Sequence, residues 1–166
     1  GLWVAACREL FEEAGILLVH EVDKLVSDTS EFETMREKVR ESPDVFRAWL
    51  ESHGWMLALR ELRYVAHWIT PSAESKRFDT RFFVATLPPG QEASLDGHEM
   101  TQLRWVSPAE APGLQSADDF LLPPPTLRVP EHLAELGSPQ AVLNLSLYHT
   151  LSRRGRADGT TGAAAV

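Results

Sequence analysis

A glycine at position 15 divides two stretches of opposite character, and this division constrains the start of the fold more than any other feature of the chain. Before it, residues 2 to about 14 are dominated by Ala, Leu, Arg and Glu, which favour a helix, and Gly15 stands where a helix stops. After it, "GILLV", Gly15 to Val19, is short and apolar and reads as a buried strand. A helix that runs straight into a buried strand must lay one face on a core. On that helix Trp3, Val4, Cys7, Leu10, Phe11 and Ala14 fall on one side, while Glu9, Glu12 and Glu13 fall within one arc of roughly 100° on the other.

From Asp23 to about Arg60 the pattern is helical. "SEFETMREKVRE" carries Phe32, Met35 and Val39 at spacings of three and four, with Ser30 and Glu33 placed as a capping box. In "SPDVFRAWLESHG", Ser42 caps a second helix, Pro43 takes its first turn and Gly54 ends it. Three strands are predicted next, "ELRYVAHWI", "TRFFVATL" and "QLRWVS", each rich in aromatic or β-branched residues. "SPAEAPG" suggests a short helical turn, and "PPPTLRVPEHLAELG" and "SPQAVLNLSLYHTL" two further helices. From about Ser152 the chain is small and polar with three arginines, which reads as a disordered tail. The order predicts one mixed α/β (α+β) domain over residues 1–151, with a helical insert at about 23–60 and a tail at 152–166.

Composition restricts the partners. With 166 residues, 43% of them hydrophobic, the chain is long enough to bury a core as one soluble domain. Its 16 Lys plus Arg against 24 Asp plus Glu give a net charge of -8, which argues against a general nucleic-acid or anionic-membrane binder. An acidic chain that handles phosphates needs a metal ion or a local basic patch. Cys7 is the single cysteine, so no internal disulfide or cysteine-based zinc site can form, consistent with a reducing compartment. No apolar run approaches the roughly 18 residues of a membrane span, and the six histidines show no pair at zinc-ligand spacing. The first residue is Gly1 rather than Met, so the chain reads as a cut piece.

Glu9 and Glu13 are like charges four residues apart, a pairing that disfavours a helix by a few tenths of a kcal/mol, roughly. A divalent cation between them relieves that repulsion, and Mg²⁺ or Mn²⁺ prefers such oxygen ligands. A solvated acidic face is the plain alternative for three glutamates alone. The fuller pattern is more specific: "RELFEEAGI", Arg8 to Ile16, resembles the second half of the Nudix box, R-E-U-x-E-E-x-G-U with U apolar, without a departure. The resemblance implies a Nudix fold with a mixed β-sheet between helices. It places a further box glutamate immediately before Gly1 and the early strands upstream, so the chain is expected to begin inside its own motif with N-terminal strands missing.

The insert after the box, "HWITP" at His67 to Pro71 and "RFDTRFFVA" at Arg77 to Ala85 are similar to the subgroup of peroxisomal acyl-coenzyme A diphosphatases and their bacterial relatives. That subgroup hydrolyses the diphosphate of CoA or acyl-CoA to 4'-phosphopantetheine species and adenosine 3',5'-bisphosphate. The ending "AAAV" is not a peroxisomal Ser-Lys-Leu type signal, which points to a cytoplasmic protein of bacterial origin. The resemblance implies Glu9 and Glu13 as ligands of Mg²⁺ or Mn²⁺, with Glu12 beside them as ligand, through water, or as proton acceptor. It implies that Arg8 holds a box carboxylate in position. Glu99 is the candidate general base, with His98 and Asp96 as neighbours able to serve instead and a polar turn as the bland alternative.

On a strand Arg77, Asp79 and Arg81 share one face, where the two arginines could meet substrate phosphates or pair with Asp79. Trp49, Trp55, Trp68 and Trp105 are expected to pack in the core. The insert helices could form a lid, an acyl-binding surface or a homodimer contact, and their sequence does not decide among these. Two rivals stand beside the CoA reading. One is hydrolysis of another small nucleotide substrate, such as ADP-ribose, NADH or a nucleotide sugar. The other is a non-catalytic Nudix-like binding module, which has no physical need for three carboxylates on one face.

Overall fold

The computed structural model describes residues 1–22, 24–70, 72–73, 75–97, 102–111, 113 and 124–145. The chain divides into two compact units, one of Gly1–Leu62 with Thr86–Arg104 and the other of Arg63–Ala85 with the chain from Trp105 onward.

The first unit opens with helix α1, Leu2–Ala14, which stops at Gly15 in the left-handed conformation, φ +69°. Its buried stripe begins at Cys7 and centres on Phe11. Val4, expected on the buried side, is instead 40% exposed, because the packing partners meet the helix further along. Those partners come from the insert helices α2, Phe32–Glu41, and α3, Pro43–His53. The Phe11 ring lies 5.5 Å from Phe32, 6.0 Å from Phe46 and 5.2 Å from Trp49, centroid to centroid, in edge-on, stacked and tilted geometries. Such aromatic pairs add about 0.5–1.5 kcal/mol each beyond the area they bury. Met35 and Val39 join the same cluster at the spacing read from the sequence.

Local signals of the insert are honoured unevenly. Pro43 takes the first turn of α3, and Gly54 ends it at φ +65°. Ser42 occupies the N-cap position, yet its side chain makes no capping bond. The Ser30–Glu33 capping box does not form either. Glu31 is the N-cap of α2, the Ser30 N–H donates to Asp28 Oδ1 at 2.9 Å, and Glu33 is drawn to Arg36 at 3.2 Å. These competing partners satisfy locally what the box would have satisfied.

The strands of this unit are short. β1, Val19–Glu21, pairs antiparallel with β2, Lys24–Leu25, and with β3, Met56–Leu57, in the order β2-β1-β3. Both β2 and β3 lie in sequence that reads as helical insert, a correction to the expected 23–60 span. The strand predicted at Gly15 to Val19 also begins later. Ile16, Leu17 and Leu18 are buried but outside the ladder, because a side chain replaces the neighbouring strand. The Leu17 N–H donates to Gln91 Oε1 at 2.8 Å, and Gln91 Nε2 donates back to Leu17 O at 3.0 Å and to Val26 O at 2.6 Å.

In the second unit β4, Arg63–Ile69, pairs antiparallel with β5, Asp79–Val84, with a bulge between Tyr64 and Ala66. Its described residues also include helices α4, Pro124–Glu135, and α5, Pro139–Leu143, and Val65, Ala66, Val129 and Val142 form a buried cluster. Ser138 caps α5, its Oγ accepting the Ala141 N–H at 3.2 Å. The rest of the helix predicted here, and the tail, lie outside the described residues.

Two expectations are corrected. Every pairing among the described strands is antiparallel, so the mixed sheet is not found there. "QLRWVS" at 102–107 is not a strand, and Trp105 is 72% exposed rather than core. Aromatic β-propensity reports fit to a pleated, half-buried surface, and these residues lack a ladder partner among the described residues. Trp49 is buried, whereas Trp55 and Trp68 are half-buried. No helix among the described residues is long and apolar enough to cross a membrane.

Replacing Gln91 by Ala leaves the Leu17 N–H and C=O and the Val26 C=O without these partners in a buried setting. The expected loss of stability is roughly 3 kcal/mol in urea unfolding; a change below about 0.5 kcal/mol would show that the amide is not the staple the geometry makes it.

Candidate functional site

Because Phe11 and Cys7 fix one face of α1 to the core, the opposite face carries its carboxylates to the surface. Glu9 and Glu13 are exposed, and the Glu9 side chain is 57% exposed. Glu12 differs, with only 14% of its side chain exposed. Arg8 Nη1 makes a short ion pair with Glu12 Oε1, four residues on, and Arg8 Nη2 lies 3.4 Å from Glu9 Oε1. Arg8 thus fixes Glu12 and stands beside Glu9. A buried Cys7 sits behind this face, and burial pushes its thiol up to about 11, so it stays neutral at ordinary pH.

Among the described residues no three His, Cys, Asp or Glu gather as a group that could hold a metal ion. The donor chemistry of the face still fits a hard cation. Mg²⁺ takes one or two carboxylates and completes its shell with water and phosphate oxygens, and Glu9 and Glu13 lie one turn apart on the exposed face. Glu12 is held in a fixed direction by its ion pair with Arg8, one turn back on the same helix.

The end of α1 is held by a residue that the motif does not contain. Arg36, on α2, is 1% exposed. Its Nη2 donates to Glu13 O at 2.9 Å, to Glu12 O at 3.2 Å and to Ser94 O at 3.2 Å, and its Nε to Glu12 O at 3.3 Å. Its Nη1 reaches Ser94 Oγ at 2.7 Å, Leu95 O at 3.5 Å and the exposed Glu33 carboxylate at 3.2 Å. The Ser94 N–H donates to Ala14 O at 3.0 Å, and the Gly15 N–H to Phe11 O at 3.0 Å. The last four carbonyls of the helix are therefore all satisfied, and the cation lies at the negative end of its dipole. Sequence reasoning passed over Arg36, although it stands in the apolar stripe of Phe32, Met35 and Val39, where a cation signals a buried partner.

Glu99 and His98 lie outside the described residues, while Asp96 is half-buried in the first unit. Arg81 is in the second unit on β5, where its Nη1 meets Asp79 Oδ1 at 2.7 Å. Asp79 also accepts from His67, and these two partners, His67 first, hold its carboxyl below the usual range. Arg77 precedes the strand and donates from Nε to Thr70 O at 3.2 Å. The Arg-Asp-Arg face thus contains an internal ion pair at Arg81.

The family described as the NUDT19 Nudix domain matches residues 1–129. The chain belongs to the Nudix family. Among its relatives, the acyl-coenzyme A diphosphatase NUDT19 of Xenopus laevis is 31% identical over 137 residues, 74% of this chain and 36% of the relative. The protein of the same name from Homo sapiens is 27% identical over 147 residues, 81% of this chain and 39% of the relative. The chain therefore spans less than two fifths of the length of these curated relatives. Among solved structures, the NUDIX hydrolase from Alicyclobacillus acidocaldarius superposes with a TM-score of 0.77 at 25% identity, covering 87% of this chain and 65% of that one. The helices and small sheets described above are an α/β Nudix fold.

Gly15 of the box is required twice over. Its φ of +69° disfavours other residues, and a Cβ there would stand 2.9 Å from Ser94 Oγ and 3.2 Å from Arg36 Nη1. Gly15→Ala is expected to destabilise the protein by roughly 2 kcal/mol. An unfolding midpoint equal to that of the wild type would contradict the close approach.

Proposed function

We propose that this chain carries the metal-binding helix of a CoA or acyl-CoA diphosphatase, a small-molecule hydrolase of phosphoanhydride bonds. The observation that carries the reading is the exposed pair Glu9 and Glu13 on α1, with Glu12 fixed beside them by Arg8. The names of the Xenopus and human relatives support the substrate class. A cytoplasmic location is part of this reading, and a lone, buried Cys7 is compatible with its reducing conditions.

A bound divalent cation, Mg²⁺ or Mn²⁺, supplies charge neutralisation of the diphosphate and lowers the pKa of a coordinated water. Glu9 and Glu13 present the oxygen ligands from a rigid helix, which keeps their spacing constant through the reaction. Glu12, oriented by Arg8, stands beside them to accept a hydrogen bond from bound water. Glu99 is the proposed proton acceptor for the attacking water, whose oxygen joins one phosphorus as the bridging oxygen leaves with the other. Arg77 and Arg81 are the proposed partners of substrate phosphates, and Arg81 must then exchange or share its contact with Asp79.

The test is release of adenosine 3',5'-bisphosphate from CoA and acyl-CoA with added Mg²⁺ or Mn²⁺, beside a Glu13→Gln variant. Removing a group that only orients a metal ligand lowers activity about 10–100-fold, so loss of a ligand itself is expected to lower turnover by more than about 100-fold. Metal-dependent hydrolysis of ADP-ribose or NADH alone would keep the site and replace the substrate, and inactivity on all of them would favour a binding module.

A further inference from the structure

We infer that Arg36 is a positioning residue of the metal-binding helix, and that through it insert helix α2 is part of the site's machinery. The inference rests on the reading of Glu9, Glu12 and Glu13 given above. The backbone carbonyls that Arg36 grips belong to Glu12 and Glu13, two of the three residues whose carboxylates define the face. A rotation of that last turn swings both side chains, and the guanidinium fork resists it by holding the two carbonyls from one rigid plane. The same fork binds Ser94 and Leu95, two residues before Asp96 in the run toward Glu99. The helix end and the start of that segment therefore share one anchor.

The environment of Arg36 marks it as more than a surface ion pair. At 1% exposure its charge is balanced by helix carbonyls and by one carboxylate, Glu33, whose side chain is 75% exposed. An arginine used only to pair with Glu33 would not need burial, and a cap for the helix alone would not need to reach Ser94 and Leu95. Gly15 completes the arrangement, because only the absence of a Cβ lets Ser94 Oγ and Arg36 Nη1 approach so closely. The insert is thus tied to the carboxylate helix by a polar contact at its end as well as by the aromatic contacts of Phe11.

The experiment compares Mn²⁺ binding, followed by electron paramagnetic resonance of the free ion, in the wild-type protein and in Arg36→Lys, with circular dichroism and thermal melting of both. Lysine keeps the charge but loses the planar fork, so the Mn²⁺ dissociation constant is expected to rise roughly 10-fold, as when other groups that orient a metal ligand are lost. Turnover of CoA should fall while its KM changes less than about twofold, since Arg36 is buried and offers no surface to a substrate. Ser94→Ala removes a single bond of the fork without altering a charge and should raise the constant in the same direction, by roughly threefold. It decides the matter if Arg36→Lys fails to fold. A lowered melting midpoint with wild-type Mn²⁺ affinity in the folded variant would make Arg36 purely structural and overturn this inference while leaving the metal site standing. No Mn²⁺ binding by the wild-type protein would overturn both.

Discussion

The contact on which the rest of the first unit depends is the Arg36 guanidinium against the last turn of α1. Helix ends leave carbonyls without partners, and here the last four are taken by Arg36, by the Ser94 N–H and by the Gly15 N–H. The arrangement forces the left-handed glycine and fixes the course of residues 94–95. It also sets the direction in which the last turn presents its carboxylates. A buried cation satisfied mostly by carbonyls is costly to disturb, because removing it strands several buried acceptors at once.

Packing supplies the other half of the constraint. Phe11 is surrounded by Phe32, Phe46 and Trp49, all from the insert, so α2 and α3 form the core that α1 rests on rather than a decoration of it. Full burial of such a side chain stabilises by about 1.5–3 kcal/mol. With one face of α1 held in this way, Glu9 and Glu13 stand on the exposed side of the helix, and Arg8 pairs with both Glu12 and Glu9. The apolar face, the capped end and the acidic face are three consequences of one helix being held on two sides.

What was legible in the sequence was whatever is written locally. The span of α1 and its stop at Gly15, the start of α3 at Pro43 and its end at Gly54, and the pairing segments of β4 and β5 all follow from propensity, periodicity and special backbone angles. The box residues Arg8 to Ile16 pointed to the family by resemblance. What was missed depends on distant partners. Gln91 replaces a strand beside Leu17, and no local pattern marks a glutamine for that task. "QLRWVS" has strand composition but no ladder, and Ser30 found Asp28 before Glu33 could close a capping box. Arg36 was the one long-range residue with a local signature, a cation inside an apolar stripe.

The central claim is that the face of α1 bearing Glu9 and Glu13 holds a divalent cation. The most direct test is a crystal structure of the protein soaked in Mn²⁺, with the ion located by its anomalous scattering. The account predicts a Mn²⁺ peak within about 2.2 Å of carboxylate oxygens of Glu9 and Glu13, the distance expected for a small hard cation. A peak elsewhere on the chain, or none at a saturating concentration, would contradict it.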